Sequence, residues 1–308
     1  MFEFDWSEES MRASVEKARE ICEANMALAR EREKAAQEAE AMKPAVETVE
    51  VEKIGGKLRQ WPEEVAAIPT ELTRTSLFGL PRRGRRKVMD WEKLSSRADV
   101  DVSYFGKQLD QADADLWLAC LRMGRGVPMG QRIYTTRAAL LKEIGWGDTG
   151  PNRKWLDSAL DRFTGAGLRA DLTRDGKKLT VRCKLMSSGI EEPSGQMYIR
   201  LDPEGAALFE NMAYVGWEQR LALGSNAAKA LQLYVSGHMA CKPHSVPLAD
   251  LAHWMGYKGR IRQFRTTLTH AMAELEAAGL ITSPAIKTGP RGDVASWVRA
   301  GKALPAPL

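Results

Sequence analysis

AAKALQLYVSGH (Ala227–His238), VPLADLAHWMG (Val246–Gly256) and GRIRQFRTTLTHAMAELEAAG (Gly259–Gly279) follow one another near the end of the chain. Apolar residues recur in them at helical spacing, which predicts three helices. Leu280–Arg299 then carries Gly-Pro-Arg-Gly-Asp at a turn and reads as a hairpin. Three helices closed by a two-stranded wing form the winged variant of the helix-turn-helix. That arrangement is used mainly to place one helix in a DNA groove.

Working outward, a less regular copy occupies 112–201. Asp113–Met123 places Leu116, Trp117, Cys120 and Leu121 on one helical face, with Asp113 as the expected N-cap. Thr136–Gly145 gives a short second helix, capped by Thr136 and anchored by Leu140, Leu141 and Ile144. Asn152–Gly165 is the third, and Ala-Gly-Leu follows it as it follows the helix at 259–278. Leu168–Leu172, Arg174-Asp175-Gly176-Lys177 and Leu179–Leu185 read as strand, turn and strand, since Asp-Gly is a strong hairpin signal. This hairpin is the expected wing of the first copy. Met197–Leu201 adds a β segment, and Asp202-Pro203 starts a helix running to Asn211. Lys93–Ala98 and Val102–Gln108 suit short strands or turns.

Ahead of these copies, residues 8–43 are rich in Glu, Ala, Lys and Arg. They read as a charged, solvent-exposed helix with only a thin stripe at Val15, Ala18, Cys22, Met26 and Ala29. Residues 44–60 look like a linker, loosest at Gly55-Gly56. The expected organisation is a helical, partly disordered arm and linker at 1–60, a first winged-helix domain at 61–215 and a second at 216–308. The fold class is α+β.

Charge is unevenly spread. Residues 1–60 carry 10 Lys/Arg against 14 Asp/Glu, whereas the remainder carries 35 against 26. The body holding the paired pattern is therefore basic, as a polyanion-binding protein would be, although a well-solvated surface has the same signature. Cys22, Cys120, Cys183 and Cys241 lie far apart, which argues against a zinc site and a disulfide framework. The four histidines (His238, His244, His253, His270) lack ligand spacing. No P-loop, dinucleotide turn or nucleophile elbow is present. No enzyme activity, cofactor or metal is expected. There is no apolar run of about 18 residues and no signal-peptide pattern in the acidic opening MFEFDWSEES. The expectation is a soluble, cytoplasmic protein without a membrane partner.

At about 100° per residue, Ile261, Phe264, Leu268, Ala271, Met272 and Leu275 fall on one side of the helix at 259–278. Arg262, Gln263, Thr266 and His270 fall on the other, with Arg260 and Arg265 on the flanks. Arg suits guanine O6/N7, Gln suits adenine N6/N7, and Thr suits a base edge or thymine methyl. These four are the candidate base contacts. Arg260 and Arg265 are candidate phosphate contacts. In the first copy Trp155, Leu156, Ala159, Leu160 and Phe163 point inward, but Asp157 and Asp161 lie outward and would repel phosphate. That copy is expected to use Arg153 and Lys154 with the wing residues Arg174, Lys177 and Lys178, sequence-independently. Arg291 in the second wing and the cluster at Arg82, Arg83, Arg85 and Arg86 complete the candidate phosphate contacts. The cluster reads equally as a solvated loop.

From about Trp61 to Arg299 the chain resembles the TrfA-type plasmid replication initiators. The resemblance is carried by Trp61-Pro62 with Arg74-Thr75-Ser76-Leu77-Phe78, by Trp117 and the helix around it, and by Leu141–Trp146. Ala227–His238 and Glu274–Leu280 continue it. It implies two winged helices binding repeated origin sites (iterons), origin opening, and recruitment of the host replicative helicase and host initiator. It also implies an inactive homodimer, a DNA-binding monomer and a bacterial, plasmid- or nucleoid-associated location. Some members carry a sliding-clamp segment before the Trp-Pro. Gly56-Lys57-Leu58-Arg59-Gln60 does not match it, and Ser76-Leu77-Phe78 reads as core, so the resemblance does not carry the clamp over as a partner. Two other readings stay open: a winged-helix transcriptional repressor without origin function, and a winged-helix protein-interaction module.

Overall fold

The computed structural model describes residues 58, 60–81, 86–96, 101–174, 177–191, 196–290 and 292–301. The arm at 1–57, Arg82, Arg83, Arg85 and Arg291 lie outside them, as does the unmatched clamp segment apart from Leu58 and Gln60. The chain enters through β1 (Val65–Pro69), a 3-10 turn (Thr70–Arg74), β2 (Val88–Lys93) and β3 (Asp101–Lys107). The first helical unit follows as α1 (Gln111–Met123), β4 (Ile133–Thr135), α2 (Arg137–Glu143) and α3 (Gly150–Thr164). Two hairpins come next: β5 (Gly167–Arg174) with β6 (Lys177–Cys183), then β7 (Met186–Glu191) with β8 (Gln196–Leu201). A 3-10 helix (Pro203–Glu210), β9 (Met212–Gly216) and α4 (Trp217–Ala222) lead to the second unit. That unit is α5 (Asn226–Ser236), β10 (Pro243–Pro247), α6 (Leu248–Trp254), α7 (Ile261–Ala277), β11 (Ile281–Gly289) and β12 (Gly292–Arg299).

Helix starts follow capping chemistry. Asp110 accepts from the N–H groups of Ala112 and Asp113, and the Asp113 carboxylate in turn accepts from Asp110 N–H. The cap of α1 is therefore Asp110, and the expected cap Asp113 is the third residue of a capping box. Thr136 caps α2 and Thr149 caps α3 through their hydroxyls. Asp202 caps a helix at Pro203–Glu210, as expected, but of the tighter 3-10 type.

The sheets correct the expected wing. In the second unit the strands are ordered β10-β12-β11, so the strand between the first two helices pairs with the last strand of the hairpin. In the first unit the same order is β4-β8-β7. The place that β11–β12 holds in the second unit is thus taken in the first by the hairpin at 186–201. The 167–183 hairpin belongs to a four-stranded sheet, β2-β3-β5-β6. Asp101–Phe105 of β3 pairs with Gly167–Asp171 and captures this hairpin, while Leu168, Ala170, Leu172 and Val181 bury against the first core.

Two apolar clusters result. One runs from Leu58 and Trp61 to Trp217, takes in Leu233 of α5, and includes Leu77, Phe78, Trp117 and Cys120, all buried. The other runs from Leu223 to Trp297 around Leu231, Phe264, Leu268 and Leu275. Between them lies a polar joint. Arg220 on α4, fully buried, donates to Asp115 at 2.7 Å, to Gln111 Oε1 at 2.8 Å and to the Lys229 carbonyl at 2.6 Å. Lys229 Nζ holds the other Asp115 oxygen at 2.5 Å. Burial pushes Arg220 below the usual guanidinium range, and Asp115 opposes that shift. Further bonds cross the joint, among them Leu80 N–H to Met255 at 3.0 Å and Trp254 Nε1 to Ser96 at 3.1 Å. Gly256 makes the closest approach: at φ 64°, a Cβ there would sit 3.2 Å from Gly79 Cα. All these residues fall in one compact unit, Thr48–Leu308.

Candidate nucleic-acid interface

Helix α7 is held by Phe264, Leu268, Ala271, Met272 and Leu275, all buried. Ile261, expected in this stripe, is 49% exposed, because it is the first residue of α7 and lies ahead of the packed turn. On the outer side Arg262, Gln263, Thr266 and His270 are all exposed, as are Arg260 and Lys258 just ahead of the helix. Helix α7 has no side-chain cap bond from its N-cap residue, Arg260. Its first-turn N–H groups and positive dipole end therefore stand beside Arg260 and Arg262, a setting that favours an anion. Thr267 and Thr269 turn their hydroxyls back to the carbonyls of Gln263 and Arg265.

Arg265 is committed elsewhere. Its guanidinium bonds Thr288 Oγ1 at 3.2 Å and Asp293 at 2.5 Å, tying α7 to both strands of the hairpin. Hydrogen bonds from Thr288 and Arg265 hold the Asp293 carboxyl below the usual carboxylate range. Arg265 thus fixes the β11–β12 hairpin on the helix.

In the first unit Leu156, Ala159, Leu160 and Phe163 of α3 are buried, whereas Trp155 is half-buried and packs at a tilt on Trp146 with centroids 4.4 Å apart. Arg153 lies in a two-point bond to Asp148, both contacts at 2.6 Å, and Lys154 is exposed. Asp157 binds Arg137 at 2.7 Å. Asp157 and Asp161 line a cleft of about 260 Å³ between α3 and the β7–β8 hairpin. The acids therefore face the β7–β8 hairpin.

Other candidates are dispersed. Arg86 is drawn into Asp110 and Asp113 at 2.5 Å each, so it buttresses the start of α1 and is not part of a free basic arm. The backbone of Arg174 and Lys177 and the exposed Lys178 lie on the β5–β6 hairpin, away from the wing position. The buried Arg220–Asp115–Lys229 joint carried no sequence cue, because its partners are about a hundred residues apart. Among the described residues there is no group of His, Cys, Asp or Glu able to hold a metal, and no helix long and apolar enough to cross a membrane.

The molecule is thus a mixed α+β protein in which two helix-and-hairpin units of one topology are locked together, one of them with an exposed basic helix face. The family model described as TrfA protein matches residues 21–288. The chain belongs to this family. It is 25% identical over 235 residues to the plasmid replication initiator protein TrfA of Escherichia coli, an alignment covering 72% of this chain. The chain spans 59% of the length of that relative. A crystal structure of domains 2 and 3 of RctB matches with a TM-score of 0.50 at 14% identity, over 76% of this chain and 98% of that one. That likeness is one of fold.

Proposed function

We propose that this protein is a plasmid replication initiator that binds iteron repeats at its origin through two winged-helix modules, 61–215 and 216–308. The observation that carries the reading is the exposed, acid-free first half of α7, with Arg262, Gln263, Thr266 and His270 side by side on a TrfA-family chain. Arg262 and Gln263 supply forked partners for guanine and adenine, each good pair being worth about 1–3 kcal/mol of discrimination. Thr266 and His270 reach bases one and two turns further along. Arg260 and the open start of α7 grip phosphate. The first module contributes Lys154 and the start of α3 to the backbone, without reading sequence.

The rigid joint between the modules favours binding as a unit, because two helices at fixed spacing can enter successive major grooves of one repeat. Origin opening and recruitment of the host helicase and initiator belong to this reading, as does exchange between a homodimer and a DNA-binding monomer in the cytoplasm. One observation favours a second role for the first module. Its third helix turns Asp157 and Asp161 toward the wing cleft, a surface better suited to a protein than to phosphate.

Footprinting on the DNA flanking the gene tests the proposal. The expected result is protection of directly repeated sites of about 20 base pairs, two grooves wide, on DNA that sustains a replicon together with the gene. Protection of a single promoter site on DNA that cannot replicate would make the protein a repressor.

A further inference from the structure

A groove of about 460 Å³ lies between the two units, within the size range of ligand sites. One wall is β9, the other the junction of α7 with β11 at Ala278–Leu280, and α5 forms the floor. Among the described residues β9 belongs to a two-stranded sheet, paired with β1. Thr70 N–H donates to Asn211 and Trp217 N–H to Glu64, both at 2.9 Å, at the two ends of that pairing. Bonding alternates along an antiparallel strand. Residues 211, 213, 215 and 217 therefore face β1, and the backbone groups of Met212, Tyr214 and Gly216 point to the opposite edge.

On that edge the Gly216 carbonyl is taken by Gln232 Nε2 at 3.2 Å. The N–H and C=O of Tyr214 make no backbone bond among the described residues. Gln232 itself is 3% exposed, yet its Oε1 has no hydrogen-bond partner there. Arg299 lines the groove beyond the end of α5, with one nitrogen on the carbonyls of Ser236 and His238. Among the described residues no carboxylate pairs with it, and burial alone pushes its pKa down. Glu64, exposed on the β1 side, is the acid among the lining residues.

We propose that this groove takes an extended peptide from a partner protein, added as a third strand on the edge of β9 opposite β1, with a carboxylate of the peptide received by Arg299. Strand addition satisfies the Tyr214 backbone pair through main-chain bonds, and the apolar walls select alternate side chains. A nucleic acid has no amide ladder to meet that edge. Glu64 repels an acid at its own end of the groove, so the peptide's charge is directed to the Arg299 end. The surface is separate from the outer face of α7, so the inference does not depend on the DNA reading.

The test uses the full chain and a fluorescent peptide alternating valine and glutamate, with a valine–lysine peptide as control. Amide hydrogen exchange at Tyr214 should slow at least fivefold with the first peptide and not with the second. Arg299→Gln, which keeps donors for the two carbonyls, should weaken peptide binding about tenfold. Arg299→Lys should restore most of it, and Arg262→Ala should leave it unchanged. Unchanged Tyr214 exchange at millimolar peptide, or equal binding of the lysine control, would overturn the proposal. Tyr214 exchange already slow without peptide, and released by Val49→Lys with Val51→Lys, would show that the chain's own Thr48–Glu52 holds the edge, which also overturns it.

Discussion

Aligned on the Ala-Gly-Leu that follows each, α7 and α3 keep one core and differ on their outer face. Leu268, Ala271, Met272 and Leu275 match Leu156, Ala159, Leu160 and Phe163, all buried. Outside, Thr266, Thr269, His270 and Ala273 stand where α3 has Lys154, Asp157, Ser158 and Asp161. Arg262 and Gln263 stand where α3 has Gly150 and Pro151. The shared stripe preserves packing, because the hydrophobic contribution depends only on the buried side. The outer side is free to diverge, and with it the partner. One helix presents forked donors from an uncapped start. The other is capped by Thr149 and turns acids toward the β7–β8 hairpin.

The largest effect should come from the joint that holds this pair together. Arg220→Ala leaves Asp115 buried with half its partners and should cost about 3–5 kcal/mol of stability, read as a lower denaturation midpoint. A midpoint unmoved by the substitution would mean that the two units are not coupled through it. Next comes the contrast between the helices. Arg262→Ala should cost about 1–3 kcal/mol on the specific site while sparing random DNA, whereas Lys154→Ala should weaken both alike and lower the salt slope by about one. If both variants lose equally on random DNA, the second helix is no more a sequence reader than the first. The smallest effect concerns the wing. Asp293→Asn frees Arg265 for phosphate, and the slope of log affinity against log salt should steepen by about 0.9. A slope unchanged in a salt titration would assign Arg265 to the protein alone.

Much of this was legible along the chain. The apolar periods at 227–238 and 259–278, the caps Thr136 and Asp202 and the Gly-Pro-Arg-Gly-Asp turn each act through neighbours a few residues apart, so local spacing suffices to read them. Ile261 was misplaced because a period gives a direction but not where packing begins. The wing of the first unit was misassigned for a different reason. Asp175-Gly176 correctly marks a hairpin, but nothing local says which strand will pair with it. β3 takes that hairpin, and 186–201 takes the place beside β4.

The sequence by itself determined helices α1–α3 and α5–α7, most of their buried stripes and the polar character of the α7 face, since these follow from side-chain type at fixed angular spacing. The tertiary structure alone decided which cations remain free. Arg86, Arg153 and Arg265 are spent on Asp110, Asp113, Asp148 and Asp293, while Arg262 is exposed. It also decided the spacing of the two units through Arg220 and Asp115. Charge pairing is a matter of distance in space, and a distance of 2.7 Å across 105 residues of chain has no local signature.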